Sequence, residues 1–331
     1  MKSNLQNTRD LSIDLLRAIG ILLIILAHVE APFIIKQIRI FDVILLVVIS
    51  GYVYKEPKDY IKYIYKRVER LVFPTWLFLT VFFLGLFLVE KILKIEVGGL
   101  NRDTIISSYT FWWGIGFVWI IRIYLGVAIL GPIVLKKLSF NRLILCYLIL
   151  EAFIVIILKN IAIGTLNRGI ELLPYILVFC YGNLLKQKLI PLKRVTYFLG
   201  LLIILFIFRK ASIDIGSFKY PPRLIYIWYG LFISNILFST KDKLIKIILK
   251  FEYLKKFIEY IGKSTMWLYL IHIGVYYIIL FIKKRIVLNW KIEYLMLILL
   301  SLGILFIKDI VLKNFEKSFK NKSKILNILK G

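Results

Sequence analysis

The sequence predicts an all-α protein: a polytopic integral membrane bundle of about ten transmembrane helices with both termini in the cytoplasm. Three observations predict it. Of the 331 residues, 60% are apolar and mean hydropathy is +0.83, more apolar surface than a soluble chain of this size can hide. The apolar residues gather in runs near the ~20 residues needed to cross a hydrocarbon core. The cations, 46 Lys and Arg against 19 Asp and Glu, sit in short clusters between those runs. That placement reads as topology-setting loops beside anionic lipid.

Taken in order, the first run, 11–29, is apolar except for Asp14, Arg17 and His28. The second, 38–54, is short and ends on Ser50-Gly51-Tyr52. The third, 71–92, follows a basic stretch from Lys55 to Arg70, with Pro74 expected in its first turns, where a missing N–H is tolerated. The fourth, 114–135, carries Arg122, and the fifth, 140–158, carries Glu151, a candidate partner for it. The sixth, 171–186, is short; the seventh is 194–209. The eighth, 222–239, opens on a proline, the ninth, 265–282, carries His272, and the tenth is 292–313.

An even number of spans puts both ends on one side. With the N-terminus inside, 30 Lys and Arg lie on the inner side and 15 on the outer, Arg122 being within a span. This bias places the termini in the cytoplasm. Residues 1–313 read as one membrane domain, without internal repeat or linker, and 314–331 as a basic cytoplasmic tail suited to the interface. The first run has no small-residue cleavage site, so a cleaved signal peptide is not expected. Disorder, collagen and disulfide scaffolds are excluded by composition, and no nucleic-acid partner is expected. Cys146 and Cys180 lie in apolar runs and read as packing residues. Two distant histidines and no acidic cluster make a poor metal site, so no metal is expected.

A charge within a span costs roughly 2.5–3.5 kcal/mol on insertion scales, so each one points to function. Asp14 and Arg17 are three apart and can pair. Arg17 and His28 are eleven apart, about three helical turns, so they share a face about 16 Å apart along the axis. His272 is the second of only two histidines, and both fall in spans. A histidine can act as general base or nucleophile; for His272 an interhelical hydrogen bond is the competing reading. Arg67 and Arg70 form one cationic face, suited either to phosphate or to positive-inside topology.

In this order, five motifs resemble the acyltransferase 3 family of membrane acyltransferases. They are SIDLLRAIGILLIILAH, with Arg17 and His28; VVISGYVY, with Ser50, Gly51 and Tyr52; and YKRVERLVFPTW, with Arg67, Arg70 and Pro74. GFVWIIRIYLGVAILGP, with Trp119 and Pro132, and STMWLYLIH, with Tyr269 and His272, complete the set. The resemblance implies a ten-helix core that moves an acyl group, usually acetyl, from cytoplasmic coenzyme A to an acceptor hydroxyl. It implies that Arg17 and His28 are the catalytic-helix pair, with His272 a further candidate; Asp14 joins them through its spacing, as the group that holds Arg17. It implies that Arg67 and Arg70 hold the acetyl-CoA, the acyl donor. The oxyanion donor stays open among His272, Tyr269 and Ser50.

The stretch FKYPPRLIYIWYG places Lys219, Tyr220 and Arg223 at an outer boundary. Aromatic faces and arginine suit a sugar; an aromatic interface belt is the competing reading. Trp119, Tyr220, Arg223 and Tyr269 are therefore assigned to the acceptor. The reading is an O-acetyltransferase of the cell membrane. Its acceptor is a sugar hydroxyl of a surface polysaccharide or its lipid-linked precursor. The alternatives are a transporter or flippase of a lipid-linked saccharide and an acyltransferase acting on a small molecule.

Overall fold

The computed structural model describes residues 10–94, 100–112, 114–136, 138–160, 169–209 and 214–318. Among them the chain is all-helical, with no strand beyond one isolated bridge between Lys219 and Pro222. Three helices are long and apolar enough to cross a membrane, over Tyr60–Ile92, Thr265–Lys283 and Trp290–Glu316. Trp119–Leu135 and Leu172–Lys186 are shorter apolar helices. The protein is therefore a helical membrane protein. The basic tail expected over 314–331 lies mostly outside the described residues.

The helices are α1 (Leu11–Leu26), α2 (Phe33–Arg39), α3 (Asp42–Val53), α4 (Tyr60–Leu93) and α5 (Arg102–Tyr109). They continue as α6 (Trp119–Leu135), α7 (Phe140–Asn160), α8 (Leu172–Lys186), α9 (Leu192–Arg209) and α10 (Leu224–Ile248). The last three are α11 (Glu252–Lys263), α12 (Thr265–Lys283) and α13 (Trp290–Ser318).

Four of these differ instructively from the sequence expectation. Asp10 caps α1 by accepting from the Ser12 N–H at 2.9 Å, and α1 stops at Leu26, so His28 lies beyond the helix. The run 38–54 is two elements, with the chain turning at Ile40–Phe41 before α3. The third run starts earlier than expected: Asp59 caps α4 at Tyr60, so Pro74 is interior. Pro74 has no N–H to give the Arg70 carbonyl, one turn before it. The basic stretch Lys241 to Lys263 is not a loop: it holds the end of α10 and all of α11.

The centre of the bundle is α3 against α8. Their backbones touch at glycine: a Cβ on Gly51 would lie 1.9 Å from the Phe179 carbonyl oxygen, and one on Gly182 2.1 Å from that of Val48. Small residues let helices approach this closely in a membrane, where dispersion rather than apolar burial drives association. Ser50-Gly51-Tyr52 thus lies in the last turn of α3, pressed on α8. The Asn183 amide donates to the Gly51 carbonyl at 3.2 Å and secures the crossing. α1 lies beside α3, and α11 lies across α1 with Gly262 against Asp14.

α1 and α3 have 16 and 12 residues, about 24 and 18 Å, and α6 and α8 are comparably short. Each falls short of the ~20 residues that cross a bilayer. His28, Asp42, Trp119 and Glu171 all sit at one end of these helices: the C-terminal end of α1 and the N-terminal ends of α3, α6 and α8. Segments outside the α-helices flank these ends, at 27–32, 111–112, 114–118 and 214–223, the last with a short 3-10 turn over Ile215–Phe218. Arg223 meets Glu151, the twelfth residue of α7, so the last of these segments lies level with the middle of that helix. Tyr220 is exposed there, and Arg223 is held against α7 by Glu151.

Candidate active site

The two histidines come together where α1 ends. The His28 and His272 ring centroids are 5.2 Å apart, with planes tilted by 32°. Phe117 stands edge-on to His28 at 4.8 Å, and Tyr276 lies at 5.5 Å. His272 is fully buried in α12. Its Nδ1 lies 3.3 Å from the Leu268 carbonyl oxygen, which can only accept, so Nδ1 carries the proton. The lone pair of the neutral ring is then on Nε2, which is buried with no partner. Tyr269, one turn before, packs on His272 at 5.2 Å, and its hydroxyl donates to the Phe117 carbonyl at 2.5 Å. That bond holds the segment that presses Phe117 on His28. The Tyr269 hydroxyl is therefore engaged in positioning.

A cavity of about 230 Å³ reaches Tyr269, which packs on His272; neither histidine lines it. Its wall includes Arg17, Ile21 and Ile24 of α1, at helical spacing, so the expected face of the first helix is observed as far as Ile24. Arg17 is held by Asp14 at 3.2 Å, as the spacing predicts, and Asp14 is buried. Tyr63 and Arg67 of α4 line the cavity too, the Arg67 guanidinium lying over the Tyr63 ring at 5.0 Å. Ser50, Tyr124, Thr265 and Tyr269 complete its polar groups. Tyr269 thus belongs both to the cavity wall and to the histidine pair. Arg70 does not line the cavity; it is exposed on the same helix.

The other face of the site is a set of ion pairs at helix N-termini. Asp42 opens α3, accepting from the Val43 N–H at 2.7 Å and from Arg39 Nη1 at 2.5 Å. Glu171 precedes α8 and pairs with Arg122 at 2.9 Å. Glu151 accepts from the Leu224 N–H at the start of α10 and binds Arg223 at 2.6 Å. Each carboxylate faces the positive end of a helix dipole and one arginine. The expected pairing of Arg122 with Glu151 is thus overturned: α6 packs on α8, which brings Glu171. Arg223, expected on the acceptor, is engaged by Glu151.

Lys219 lies in the same region, 4.0 Å from Asp42, with its ammonium 5.6 Å from the Trp119 ring centre and 5.5 Å from that of Tyr220. Trp119 and Tyr220 meet edge to face at 5.4 Å. Sequence reasoning missed Arg39 and Asp42. The signal was present: two opposite charges three residues apart within an apolar run. Among the described residues no group of three His, Cys, Asp or Glu is placed to hold a metal ion.

A family model described as an acyltransferase domain, acyltransferase 3, matches residues 10–310. No curated protein and no solved structure matches the chain. The match takes in α1 to α12 and most of α13, and with them the histidine pair, the cavity and the ion pairs. The chain belongs to the acyltransferase 3 family and is in general terms a membrane acyltransferase.

Proposed function

We propose that the protein is a multi-pass O-acetyltransferase of the cytoplasmic membrane. It moves acetyl from cytoplasmic acetyl-CoA to a sugar hydroxyl of a surface polysaccharide or its lipid-linked precursor. The chain crosses about ten times in this reading, the shorter helices being completed by their flanking segments, and both termini are cytoplasmic. The observation that carries the reading is the cavity running from Arg17 and Arg67 to Tyr269, which packs on His272 beside His28.

The donor's phosphates stay at the α4 end. Arg67 binds them, since a guanidinium matches phosphate oxygens in fork geometry. Arg70 and the exposed lysines of the same stretch add only diffuse positive potential. The slim arm of the donor occupies the cavity, and its thioester reaches the histidine pair. The acceptor arrives from the side of Trp119 and Tyr220.

His28 takes the proton of the acceptor hydroxyl as its oxygen attacks the thioester carbonyl carbon. The tetrahedral intermediate collapses, the carbon–sulfur bond breaks, and His28 returns the proton to the leaving thiolate. His272, its Nδ1 fixed by Leu268, orients His28 through the ring contact and offers Nε2 as an acceptor. Arg17, held by Asp14, orients the donor.

The test is proton NMR of surface polysaccharide from a strain lacking the gene, complemented with wild type or His28→Ala, with membrane levels of both checked. Restored O-acetyl signals with wild type alone support the reading. Unchanged acetylation with reduced polysaccharide export would replace it by the transporter.

A further inference from the structure

The charges around the acceptor side do not balance. Arg122 and Arg223 each have a carboxylate of their own, Glu171 and Glu151. Arg39 and Lys219 share one, Asp42. No other carboxylate lies within ion-pair distance of either, among the described residues. Asp42 is further committed to the Val43 N–H at the start of α3. All three side chains are largely removed from water, at 12% exposure for Arg39, 11% for Lys219 and 1% for Asp42. Arg39 Nε is buried without a partner. One positive charge in excess, poorly hydrated, is costly unless something pairs with it.

This excess lies beside the chemistry. Trp119, under the Lys219 ammonium, is two residues from Phe117, the ring that stands edge-on to His28. Lys219 also packs against Trp119 and Tyr220, the aromatic faces assigned to the sugar. A positive neighbourhood opposes the imidazolium that His28 becomes on taking a proton. A negative group on the acceptor would cancel that opposition just when the acceptor is bound.

We propose that the acceptor is an acidic saccharide. A singly negative group on its sugar, a carboxylate or a phosphodiester, binds between Arg39 and Lys219 with the ring against Trp119 and Tyr220. The bound anion completes the charge balance that lets His28 act as a base. Lys219 reads the anion. Arg39 positions Asp42 and supplies the second positive charge. The proposal rests on the sugar O-acetyltransferase reading.

The test uses the full-length protein in lipid vesicles with acetyl-CoA and three acceptors: a hexuronate disaccharide, its neutral hexose counterpart, and the hexose carrying a glycerol phosphodiester. Acceptor binding is measured alongside transfer. One of the two anionic acceptors is expected to exceed the neutral one by about 10- to 100-fold in kcat/KM, the range for a charge-assisted hydrogen bond. Which of the two it is names the source of the charge. Lys219→Gln should collapse that ratio toward one and Lys219→Arg should keep most of it, with folding followed by thermal denaturation in detergent. A wild-type ratio near one, or a ratio unchanged in Lys219→Gln, overturns the proposal. If the anionic sugars bind preferentially yet none is acetylated, the anion site stands and the acetyltransferase reading falls. If they neither bind preferentially nor react, the anion site falls.

Discussion

His28 and His272 pack ring against ring, centroids 5.2 Å apart and planes tilted by 32°, although one follows the first helix and the other is buried in the middle of α12. Their roles are not equal. His272 has one nitrogen on the Leu268 carbonyl, and its place is set by helix packing. His28 sits on irregular chain at the end of a short helix, half-buried, where an acceptor can reach it.

His28→Ala should therefore lower transfer by about 10²- to 10⁴-fold, the contribution of a general base, with little loss of folded protein. His272→Ala should lower transfer and also reduce the amount of folded protein, because it empties a fully buried position. Transfer of radiolabelled acetyl, normalised to protein extracted in folded form, separates the two. Equal turnover in His28→Ala and wild type would remove His28 from the reaction.

The two arginines of the third motif should separate as well. Arg67 lines the cavity and Arg70 does not. Arg67→Ala should raise KM for acetyl-CoA about tenfold, a partly exposed charge-assisted contact being worth about 1.5 kcal/mol. Arg70→Ala should change it less than about twofold, as expected of a screened surface charge. Initial rates at varied acetyl-CoA decide between this and the symmetric role suggested by the spacing.

How much of this was legible in the sequence depends on range. α4, α12 and α13 follow from long apolar runs, and the Asp14–Arg17 pair from helical spacing alone. The end of α1 was less visible, because Ala27 and Val29 around His28 are as apolar as the helix. The only local signal was Pro32, which biases Ala31 away from helix. The partner of Arg122 was not legible, since pairing depends on which helices touch. Glu171 stood at the start of a run, a natural place for an acid facing a helix dipole, but nothing local assigned it to α6. Gly51 was visible as part of a motif, while its reason, backbone contact with α8, is a tertiary fact.

That contact gives the next prediction. Gly51→Ala or Gly182→Ala should each lower the thermal midpoint in detergent, because the added Cβ meets backbone rather than a flexible side chain. Overpacking of this kind costs about 1–3 kcal/mol, and more where backbone must shift. The double variant should cost less than the sum, because the first separation of α3 and α8 already relieves the second. Additive losses would mean the two glycines relieve separate contacts.

Arg122 and Glu171 should behave as a buried pair. Glu171→Leu alone strands the Arg122 charge and should cost about 3–5 kcal/mol. The double leucine variant should recover most of that, since a well-packed apolar pair replaces a buried ion pair at little cost. The same cycle run with Glu151 in place of Glu171 should show no coupling to Arg122.

The segment after His28 is tied down by charge, and this sets a pH dependence. The Lys283 ammonium donates to Glu30 at 2.8 Å and, 3.2 Å away on its other side, to buried Glu293. That hydrogen bond, and then the ammonium charge, hold the Glu30 carboxyl below its usual 4.5. A carboxyl whose value is lowered by folding stabilises the fold above its unfolded value and loses that contribution as pH falls through the folded one. Glu30 is fully exposed, so the effect is small and salt-sensitive. Wild type should exceed Glu30→Gln in thermal midpoint near neutrality, and the two should converge as the medium is acidified below about pH 4. Raising the salt concentration should narrow the difference at neutral pH. A constant difference across the acid range would show that Glu30 acts through shape, and that the strap over His28 owes nothing to Lys283.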